Sequence, residues 1–319
     1  MNKFRDPFLE HRKRQEAAHT VRVKDRADPM ASLVTVEMNI TELCNRTCVF
    51  CPRADPKVYP NRNLMMGLDV ARKVGSDLAS FDYRGRVSFS GFGECLLNKN
   101  FEDYIRIFRA ALPSNTIETN TNGDRLTVER IHSLFAAGIS AIYVNLYDGP
   151  EQAPHFEQLF TEAGIPKDKW QLRPHWPDYA RDFGLTLNNR SGMVDPVAGV
   201  SPSATPPLLQ RCHYPFYKMF VDWNGDILFC SNDWGREIVI GNVQKEHLRD
   251  LWLSDKMIEI RRALSNKQRS QSPCNKCDVD GRLHGSHSYN LLVSHYQGSG
   301  ERGFDTAEVS SAEVAEAAS

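Results

Sequence analysis

LVTVEMNI, residues 33–40, runs directly into TELCNRTCVFCPR, residues 41–53, and these two stretches set the fold expectation. Residues 33–40 are rich in β-branched side chains and alternate in polarity, which is typical of a strand. Residues 41–53 are polar and carry three cysteines within eight positions. The sequence therefore predicts a thiol-rich loop that leaves the end of a core strand.

Downstream of this loop, short β-rich runs alternate with segments of helical apolar period. Further strands are predicted at residues 86–90, 115–119, 141–147 and 170–174. Helices are predicted between them, at residues 70–81, 101–112 and 128–135 and after Pro150. Single helices between strands indicate βα units and a parallel sheet, closed or partly closed as a barrel. In such a sheet we expect active-site groups at the C-terminal ends of the strands.

The chain divides into four predicted segments. Residues 195–209 carry four prolines and mark a boundary near residue 200. Beyond it, the turn at Asn224 and Gly225 predicts a β-hairpin, and an apolar face predicts a helix over residues 247–264. The predicted segments are a polar N-terminal arm, a barrel, a small α+β domain and a partly disordered tail, at residues 1–32, 33–200, 201–290 and 291–319.

Composition and charge argue against several classes of function. The 39 Lys and Arg residues balance 40 Asp and Glu residues, and a net charge of −1 offers no basic field for nucleic acid as the main partner. No apolar run approaches the roughly 18 residues that a membrane helix needs, so we expect no membrane span. The N-terminal region lacks the apolar core of a signal peptide, which predicts a cytoplasmic protein with reduced cysteines.

The first group of cysteines is Cys44, Cys48 and Cys51, with the spacing C-x3-C-x2-C. Structural zinc requires four N or S ligands, and the sequence has no histidine between His19 and His132 to complete a local set. Two alternatives remain open at this point. One is a zinc site that a distant residue completes, and the other is an iron-sulfur cluster with one open iron.

The segment CNRTCVFC, residues 44–51, resembles the cluster motif of the radical S-adenosylmethionine (SAM) superfamily, with Phe50 as the aromatic residue before the third cysteine. The resemblance implies a [4Fe-4S] cluster whose open iron binds the amino and carboxylate groups of SAM. It also implies an α/β fold, a partial (β/α)6 TIM-like barrel, and cleavage of SAM to methionine and a deoxyadenosyl radical. A reductant such as flavodoxin or ferredoxin is the expected electron source.

Two further stretches are similar to SAM-contacting segments of the same superfamily. Gly91, Gly93 and Glu94 follow the second predicted strand, and the resemblance implies that they meet the SAM ammonium group, with Glu94 as the acid. Asn120 and Asn122 follow the third, and the resemblance implies that they face the SAM ribose. The alternatives are a tight βα turn for the glycines and a plain Asn-Gly turn for the asparagines.

The second group of cysteines is Cys212, Cys230, Cys274 and Cys277. Alone, four thiols favour a closed zinc site. Beside the first motif, the region resembles the SPASM or twitch extension of radical SAM enzymes, which carries auxiliary [4Fe-4S] clusters. Because the full SPASM pattern uses more cysteines than this, the resemblance implies one auxiliary cluster that the protein ligates completely.

Polar residues near the ends of the later strands are candidates for substrate and cofactor binding. We predict that Asn145 contacts the cofactor or substrate, and that Tyr147, Arg173 and His175 bind the substrate or accept its hydroxyl proton. Asp148 is a further candidate for binding the substrate. Each has an ordinary alternative, as a half-buried strand residue, a turn residue or a surface group.

The reaction that follows hydrogen abstraction depends on the auxiliary cluster. If the cluster accepts an electron while a base removes the hydroxyl proton, an alcohol becomes a ketone, as in the aminocyclitol alcohol dehydrogenases of antibiotic biosynthesis that this chain resembles. If Cys95, the one thiol outside both groups, donates a hydrogen atom, the product is an epimer. Cys95 is otherwise a small buried hydrophobe. Peptide modification and a zinc-binding module without catalysis are further alternatives. We predict a dehydrogenase with a small carbohydrate-like or aminocyclitol substrate.

Overall fold

One eight-stranded sheet organises the computed structural model, which describes residues 7–23, 28–175, 188–194 and 206–304. The strands are β1 (Thr35–Met38), β2 (Arg86–Phe89), β3 (Ile117–Thr121), β4 (Ala141–Leu146), β5 (Trp170–Pro174), β6 (Lys218–Val221), β7 (Asp226–Leu228) and β8 (Val239–Asn242). Their order is β5-β4-β3-β2-β1-β6-β7-β8. Strands β1 to β6 pair in parallel, and β7 and β8 pair antiparallel. The six parallel strands confirm the predicted α/β fold of a partial barrel.

Helices alternate with the parallel strands in the first half of the chain. Over all described residues, the α-helices are α1 (Pro7–Val23), α2 (Leu68–Ser80), α3 (Phe101–Ala111), α4 (Val128–Ala137), α5 (Gln152–Glu162), α6 (Tyr214–Tyr217), α7 (Leu248–Trp252), α8 (Asp255–Ser265) and α9 (Ser286–Gly298). Helices α2 to α5 each follow one of the strands β1 to β4, as the βα pattern predicts. Within the described part of the chain, no helix has the length and apolar character to cross a membrane.

The parallel strands have two chemically different faces, because successive residues of a strand point to opposite sides of the sheet. One face packs into the main apolar core with α2 to α5, and its residues include Val36, Met38, Val87, Phe89, Ile117, Ile142, Val144, Met219 and Val221. The residues that alternate with these are polar or aromatic and include Glu37, Arg86, Ser88, Glu118, Asn120, Tyr143, Asn145, Arg173 and Lys218. The interior of the partial barrel is therefore polar.

The sheet departs from the prediction at two places. Strand β3 runs over Ile117–Thr121, two residues later than expected, so Asn120 lies within the strand and not in the loop after it. Strand β6 lies beyond the predicted boundary near residue 200 and pairs in parallel with β1. The sheet is thus continuous across that boundary, and the division into domains stays a prediction. Residues 195–205 of the proline-rich segment lie outside the described residues.

Helix α1 corrects the prediction of a polar arm over residues 1–32. Its polar side chains reach the inner face of the sheet: Gln15 Nε2 donates to Glu118 at 3.2 Å, and His11 Nε2 lies 2.8 Å from the Tyr143 hydroxyl. Gln15 also accepts a hydrogen bond from Arg86. Because these contacts are polar, the helix carries no apolar period from which the sequence could predict it.

The helix predicted at residues 247–264 is two helices, α7 and α8, with a break at Leu253 and Ser254. The Ser254 side chain caps α8 by accepting a hydrogen bond from the Met257 N–H at 3.4 Å. Because Ser254 starts a new helix, the single apolar period of the sequence covers two helices.

Helix α9 corrects the prediction of a tail from residue 291. Its buried face contributes Tyr289, Leu292, Val293 and Tyr296 to the main core. Phe304 is also buried, with its ring stacked against Tyr296 at 5.0 Å between centroids. Residues 305–319, where disorder was expected, lie outside the described residues.

Because Leu292 has no exposed surface, the change Leu292→Ala should leave a cavity and lower the free energy of unfolding by about 2–5 kcal/mol. Ser294→Ala on the exposed face of the same helix is the matched control, with an expected effect within about 0.5 kcal/mol. Anaerobic urea unfolding measures both. Equal effects would contradict the packing of α9.

Candidate active site

The first group of cysteines lies in the loop that leaves β1, as predicted. Asn61 fixes the start of this loop: its Oδ1 accepts the Cys44 N–H at 2.9 Å, and its Nδ2 donates to the Cys44 carbonyl at 2.8 Å. The Cys51 N–H donates to the Cys48 carbonyl at 2.9 Å. All three thiols are half-buried in one short loop. Three soft ligands from one loop fit an iron-sulfur cluster.

Burial raises the pKa of all three thiols, and that of Cys48 to about 12, with the charges of Cys51 and Cys44 as further causes. Without a metal, the thiols are therefore protonated at neutral pH. Binding of iron must release these protons, which couples cluster assembly to pH.

Arg46, between the first two cysteines, ties the cluster loop to the ends of β3 and β4. Its Nε and Nη2 donate to the Asp124 carboxylate at 2.7 and 2.6 Å, and its Nη1 donates to Asp148 at 2.7 Å. Asp124 follows β3 and Asp148 follows β4. The guanidinium also lies over the Tyr147 ring, 5.6 Å from its centroid. Arg46 thereby holds the loop against the C-terminal edge of the sheet.

The two predicted glycines after β2 allow a close approach to the loop after β1. Gly91 has φ +136°, and a Cβ there would lie 2.8 Å from the Asn39 side chain. A Cβ at Gly93 would lie 2.1 Å from the Thr41 carbonyl oxygen. Larger residues would force the two loops apart. In this structure the glycines have a packing role that the sequence alone did not indicate.

Glu94 is buried and binds the loop after β3. Its carboxylate accepts hydrogen bonds from the Thr121 hydroxyl at 2.7 Å, the Asn122 N–H at 2.8 Å and the Leu96 N–H at 3.0 Å. Burial raises its pKa, and the hydrogen bonds from Asn122 and Thr121 lower it. Glu94 and Asn122 therefore lie together beside the cluster loop, and their contact with SAM stays a prediction.

A row of hydrogen-bonded side chains crosses the inner face of the sheet, which we call the polar row: Lys218, Glu37, Ser90, Ser88, Asn120, Arg173, Asn145 and His175. Its first part joins β6, β1 and β2. Lys218 Nζ donates to Glu37 at 2.6 Å, and the Ser90 hydroxyl donates to the other Glu37 oxygen at 2.7 Å. Both charged groups are almost fully buried.

The second part of the polar row brings together residues predicted separately. Arg173 Nη1 lies 3.5 Å from Asn120 Oδ1 and 3.3 Å from Asn145 Oδ1. Asn145 and Arg173 are direct partners across β4 and β5. His175 Nε2 lies 3.1 Å from the same Asn145 oxygen. Asn120 thus lies inside the barrel in contact with Arg173. Asn122 instead contacts the cluster loop, where its Nδ2 donates to Asn45 Oδ1 at 2.8 Å.

The hydrogen bonds of Asn145 determine the proton on His175. Arg173 can only donate, so the amide atom facing it is the oxygen, and His175 Nε2 must donate to that oxygen. Burial, with Arg173 as a further cause, lowers the pKa of His175 well below 6.5. The imidazole is therefore neutral at pH 7, with a lone pair on Nδ1. That Nδ1 has no hydrogen-bond partner among the described residues.

Two aromatic rings, those of Phe50 and Tyr147, connect His175 to the cluster loop. Phe50 lies 5.5 Å from Tyr147 and 6.1 Å from His175, and Tyr147 lies 5.6 Å from His175, between ring centroids. Phe50 is buried directly before the third cysteine. The predicted substrate residues therefore adjoin the first cluster site.

Cys95 follows Glu94 in the chain, but its side chain points into the apolar core. Its side chain is 2% exposed and belongs to the main apolar core, with a hydrogen bond to the Thr119 side chain. Thr119 lies on the apolar face of β3, opposite to Asn120. Burial raises the pKa of the Cys95 thiol. In the structure Cys95 therefore packs in the apolar core, and a role as hydrogen donor stays a prediction.

The second group of cysteines converges as predicted, although its members come from three segments. Cys212, Cys230, Cys274 and Cys277 all line one pocket, together with apolar residues such as Phe229 and Leu264. Burial raises the pKa of Cys212 to about 11 and that of Cys274 to about 12. Four thiols around one apolar cavity fit a cluster that the protein ligates completely.

Comparison with protein families identifies both parts of the chain. The model of the Radical SAM superfamily matches residues 38–182, and the model of SPASM, an iron-sulfur cluster-binding domain, matches residues 212–278. The chain is also 30% identical over 253 residues to the S-adenosyl-L-methionine-dependent 2-deoxy-scyllo-inosamine dehydrogenase of Niallia circulans, which covers 79% of this chain and 94% of that protein. The chain belongs to the radical SAM superfamily. As a member with a SPASM region, it carries two iron-sulfur clusters. The alternative of zinc sites is therefore set aside.

Solved structures similar to this radical SAM protein agree with its fold. BtrN in complex with AdoMet and 2-DOIA is 27% identical, with a TM-score of 0.66, over 78% of this chain and 94% of that chain. BtrN in an open conformation is 23% identical, with a TM-score of 0.57, over 77% and 92% of the two chains. The first neighbour binds AdoMet, which is SAM. That the two groups of cysteines ligate the clusters stays a prediction, which their convergence supports.

The sequence did not single out Arg46, Asn61 or Asp124 as site residues. Arg46 lies inside the motif, so its position next to two cysteines was the available signal. Asn61 and Asp124 reach the loop only through folding, from 17 and 78 residues away along the chain. No local pattern predicts such contacts.

We expect Arg46→Gln to loosen the first cluster, because the cluster loop loses its ion pairs with Asp124 and Asp148. Changes around metal ligands typically alter metal affinity by about 10–100-fold. Anaerobic iron release to a chelator should become faster for that cluster alone, as followed by electron paramagnetic resonance (EPR). Arg106→Gln is the matched control, since it breaks an exposed ion pair with Asp103 on α3. Equal release from Arg46→Gln and the wild type would contradict this role.

Proposed function

We propose that this radical SAM protein oxidises an alcohol of a small polyhydroxylated molecule, of the aminocyclitol class, to a ketone. The observation that carries the proposal is the polar row, a set of buried hydrogen-bonding side chains inside the barrel. A relative with 30% identity over most of both chains is a dehydrogenase of 2-deoxy-scyllo-inosamine, which supports this substrate class.

The side chains of the polar row suit a ring with several hydroxyl or amino groups. Arg173 offers donors only, whereas the amides of Asn120 and Asn145 offer both donors and acceptors. Fixed groups of this kind orient a small substrate at little entropic cost, which favours one C–H bond for attack. When bound, SAM and its cluster supply the oxidant that removes one hydrogen atom from carbon, and the auxiliary cluster accepts the remaining electron.

His175 is the proposed base for the hydroxyl proton. Its Nε2 is committed to Asn145 at 3.1 Å, so the lone pair on Nδ1 is available to accept a proton. Its lowered pKa keeps the imidazole neutral at the start of the reaction. Loss of one hydrogen atom, one proton and one electron accounts for the two hydrogens removed from the alcohol.

Phe50 and Tyr147 are proposed to shield the reacting centre. Phe50 is a buried residue of the cluster loop that faces His175, and Tyr147 is half-buried beside it. Apolar rings at this junction exclude water, which would otherwise compete with the substrate for the polar row. A one-electron carrier such as flavodoxin or ferredoxin is the proposed source of the reducing electron.

The proposal is tested by anaerobic incubation with SAM, dithionite and 2-deoxy-scyllo-inosamine. We expect deoxyadenosine together with a product that is two hydrogens lighter, detected by mass spectrometry. A set of related aminocyclitols and peptides in parallel reactions tests the substrate class. Oxidation of a peptide but of no cyclitol would overturn the proposal.

We expect His175→Asn to slow ketone formation by about 10²–10⁴-fold, because a general base typically contributes this much. Cleavage of SAM to deoxyadenosine should continue, since the first cluster is untouched. His155→Asn on the exposed surface of α5 is the matched control. Unchanged ketone formation in the His175 variant would exclude it as the base.

The alternative of an epimerase requires Cys95 to donate a hydrogen atom. Because Cys95 packs in the apolar core, we expect Cys95→Ala to retain ketone formation, with a loss of stability of about 1 kcal/mol. Reactions in deuterium oxide distinguish the alternatives. Deuterium at a substrate carbon in the wild type, and its loss in the variant, would favour the epimerase.

A further inference from the structure

A network of charged side chains joins the segments that carry the two groups of cysteines. Arg236 lies six residues after Cys230, one of the second group. Its Nη2 donates to Glu42 Oε1 at 2.6 Å, and its Nε donates to Asp222 Oδ2 at 2.5 Å. Glu42 lies two residues before Cys44, in the first group. One guanidinium therefore connects the neighbourhoods of both cluster sites.

The turn that begins at Cys230 determines the position of Arg236. The Asp233 N–H donates to the Cys230 carbonyl at 3.1 Å, and the Arg236 N–H donates to the Asp233 carbonyl at 3.1 Å. The Asp233 carboxylate accepts the Ile238 N–H at 2.9 Å and closes the turn. Arg236 itself has φ +55°, an unfavourable conformation for a residue with a side chain. The ion pairs of the Arg236 side chain stabilise this backbone conformation.

On the side of the first cysteine group, the network binds Glu42, at the start of the cluster loop. Glu42 is 3% exposed, and its other oxygen accepts a hydrogen bond from the Tyr59 hydroxyl at 2.7 Å. Tyr59 in turn accepts from Arg236 Nη1 at 2.6 Å. Asn39 Nδ2 donates to Asp222 at 2.8 Å and to Glu42 at 3.1 Å. Movement of Arg236 would leave two buried carboxylates without their closest cation, which is strongly unfavourable.

In addition to the ion pairs, aromatic contacts join the same two segments. Trp234 packs edge-on against Tyr59, 4.9 Å between centroids, and lies 4.4 Å from Phe92. Cys51, the last cysteine of the first group, packs against this aromatic cluster. The exit of the cluster loop is therefore also in contact with the turn that carries Arg236.

We propose that Arg236 is a positioning residue through which the auxiliary site holds the first cluster loop in place. Order in the turn after Cys230 fixes Arg236, and Arg236 fixes Glu42 at the entry of the loop. Loss of the auxiliary cluster should then loosen the loop of the first cluster, although no ligand of that cluster has changed. This inference rests on the two cluster sites and not on the identity of the substrate.

The test compares the wild-type protein, with both clusters, to Arg236→Gln. Hydrogen exchange followed by mass spectrometry should become about tenfold faster in residues 41–61, because the loop opens more often. The EPR spectrum of the reduced first cluster should also change in its response to added SAM. Arg249→Gln is the matched control, since Arg249 likewise joins a C-terminal helix to an early residue, Asp28, at 2.9 Å. Neither signal should change in it.

A second variant isolates the coupling. Cys230→Ala removes a ligand of the auxiliary site and should accelerate exchange in residues 41–61 in the same way. Because both changes break the same chain of contacts, the double variant with Arg236→Gln should exchange no faster than the more affected single variant. Additive effects would overturn the coupling.

Exchange that rises equally in all segments of Arg236→Gln would also overturn the proposal, because it would reduce Arg236 to a general stabiliser. If that variant does not fold, Arg236→Lys serves in its place. Lysine keeps the charge but loses the forked contacts, so a faster loop with unchanged exchange elsewhere supports the proposal. A Lys variant identical to the wild type in both exchange and EPR would contradict it. None of these readouts requires a substrate.

Discussion

A buried polar group without a partner costs free energy, and this cost shapes the inner face of the sheet. An unpaired buried donor or acceptor costs about 1–3 kcal/mol, so each polar residue inside the barrel depends on its neighbours. The ion pair of Glu37 and Lys218 lowers this cost between β1 and β6. Asn120, Asn145 and Arg173 lower it across β3, β4 and β5. The barrel can therefore keep a polar interior while its outer face packs as an ordinary apolar core.

This separation of the two faces assigns folding and chemistry to different residues. Apolar side chains that face α2 to α5 stabilise the sheet, and Cys95 belongs with them. Polar side chains on the other face converge toward the cluster loop, where His175 adjoins Phe50. If His175 is the base, as proposed, its Nδ1, which has no hydrogen-bond partner in the described part of the chain, lies near a buried aromatic residue. Fold and proposed chemistry therefore agree.

The position of β6 beside β1 has a second consequence. It brings the C-terminal half of the chain into contact with the loop that carries the first group of cysteines. Asp222, at the end of β6, and Arg236, after β7, thus reach Glu42 before that loop. The loops that carry both groups of cysteines thus adjoin neighbouring strands of one sheet and are joined by direct contacts.

The sequence by itself determined the features that depend on nearby residues. Spacing alone predicted the loop of Cys44, Cys48 and Cys51, and apolar periods predicted β1 to β5 and α2 to α5, because these patterns are local. Helix α1 was missed because its contacts are polar and carry no period. Only the tertiary structure decided that Arg236 meets Glu42, 194 residues away in the chain, and that His175 donates to Asn145. Such contacts form through strand order and burial, and no short-range pattern of residues encodes them.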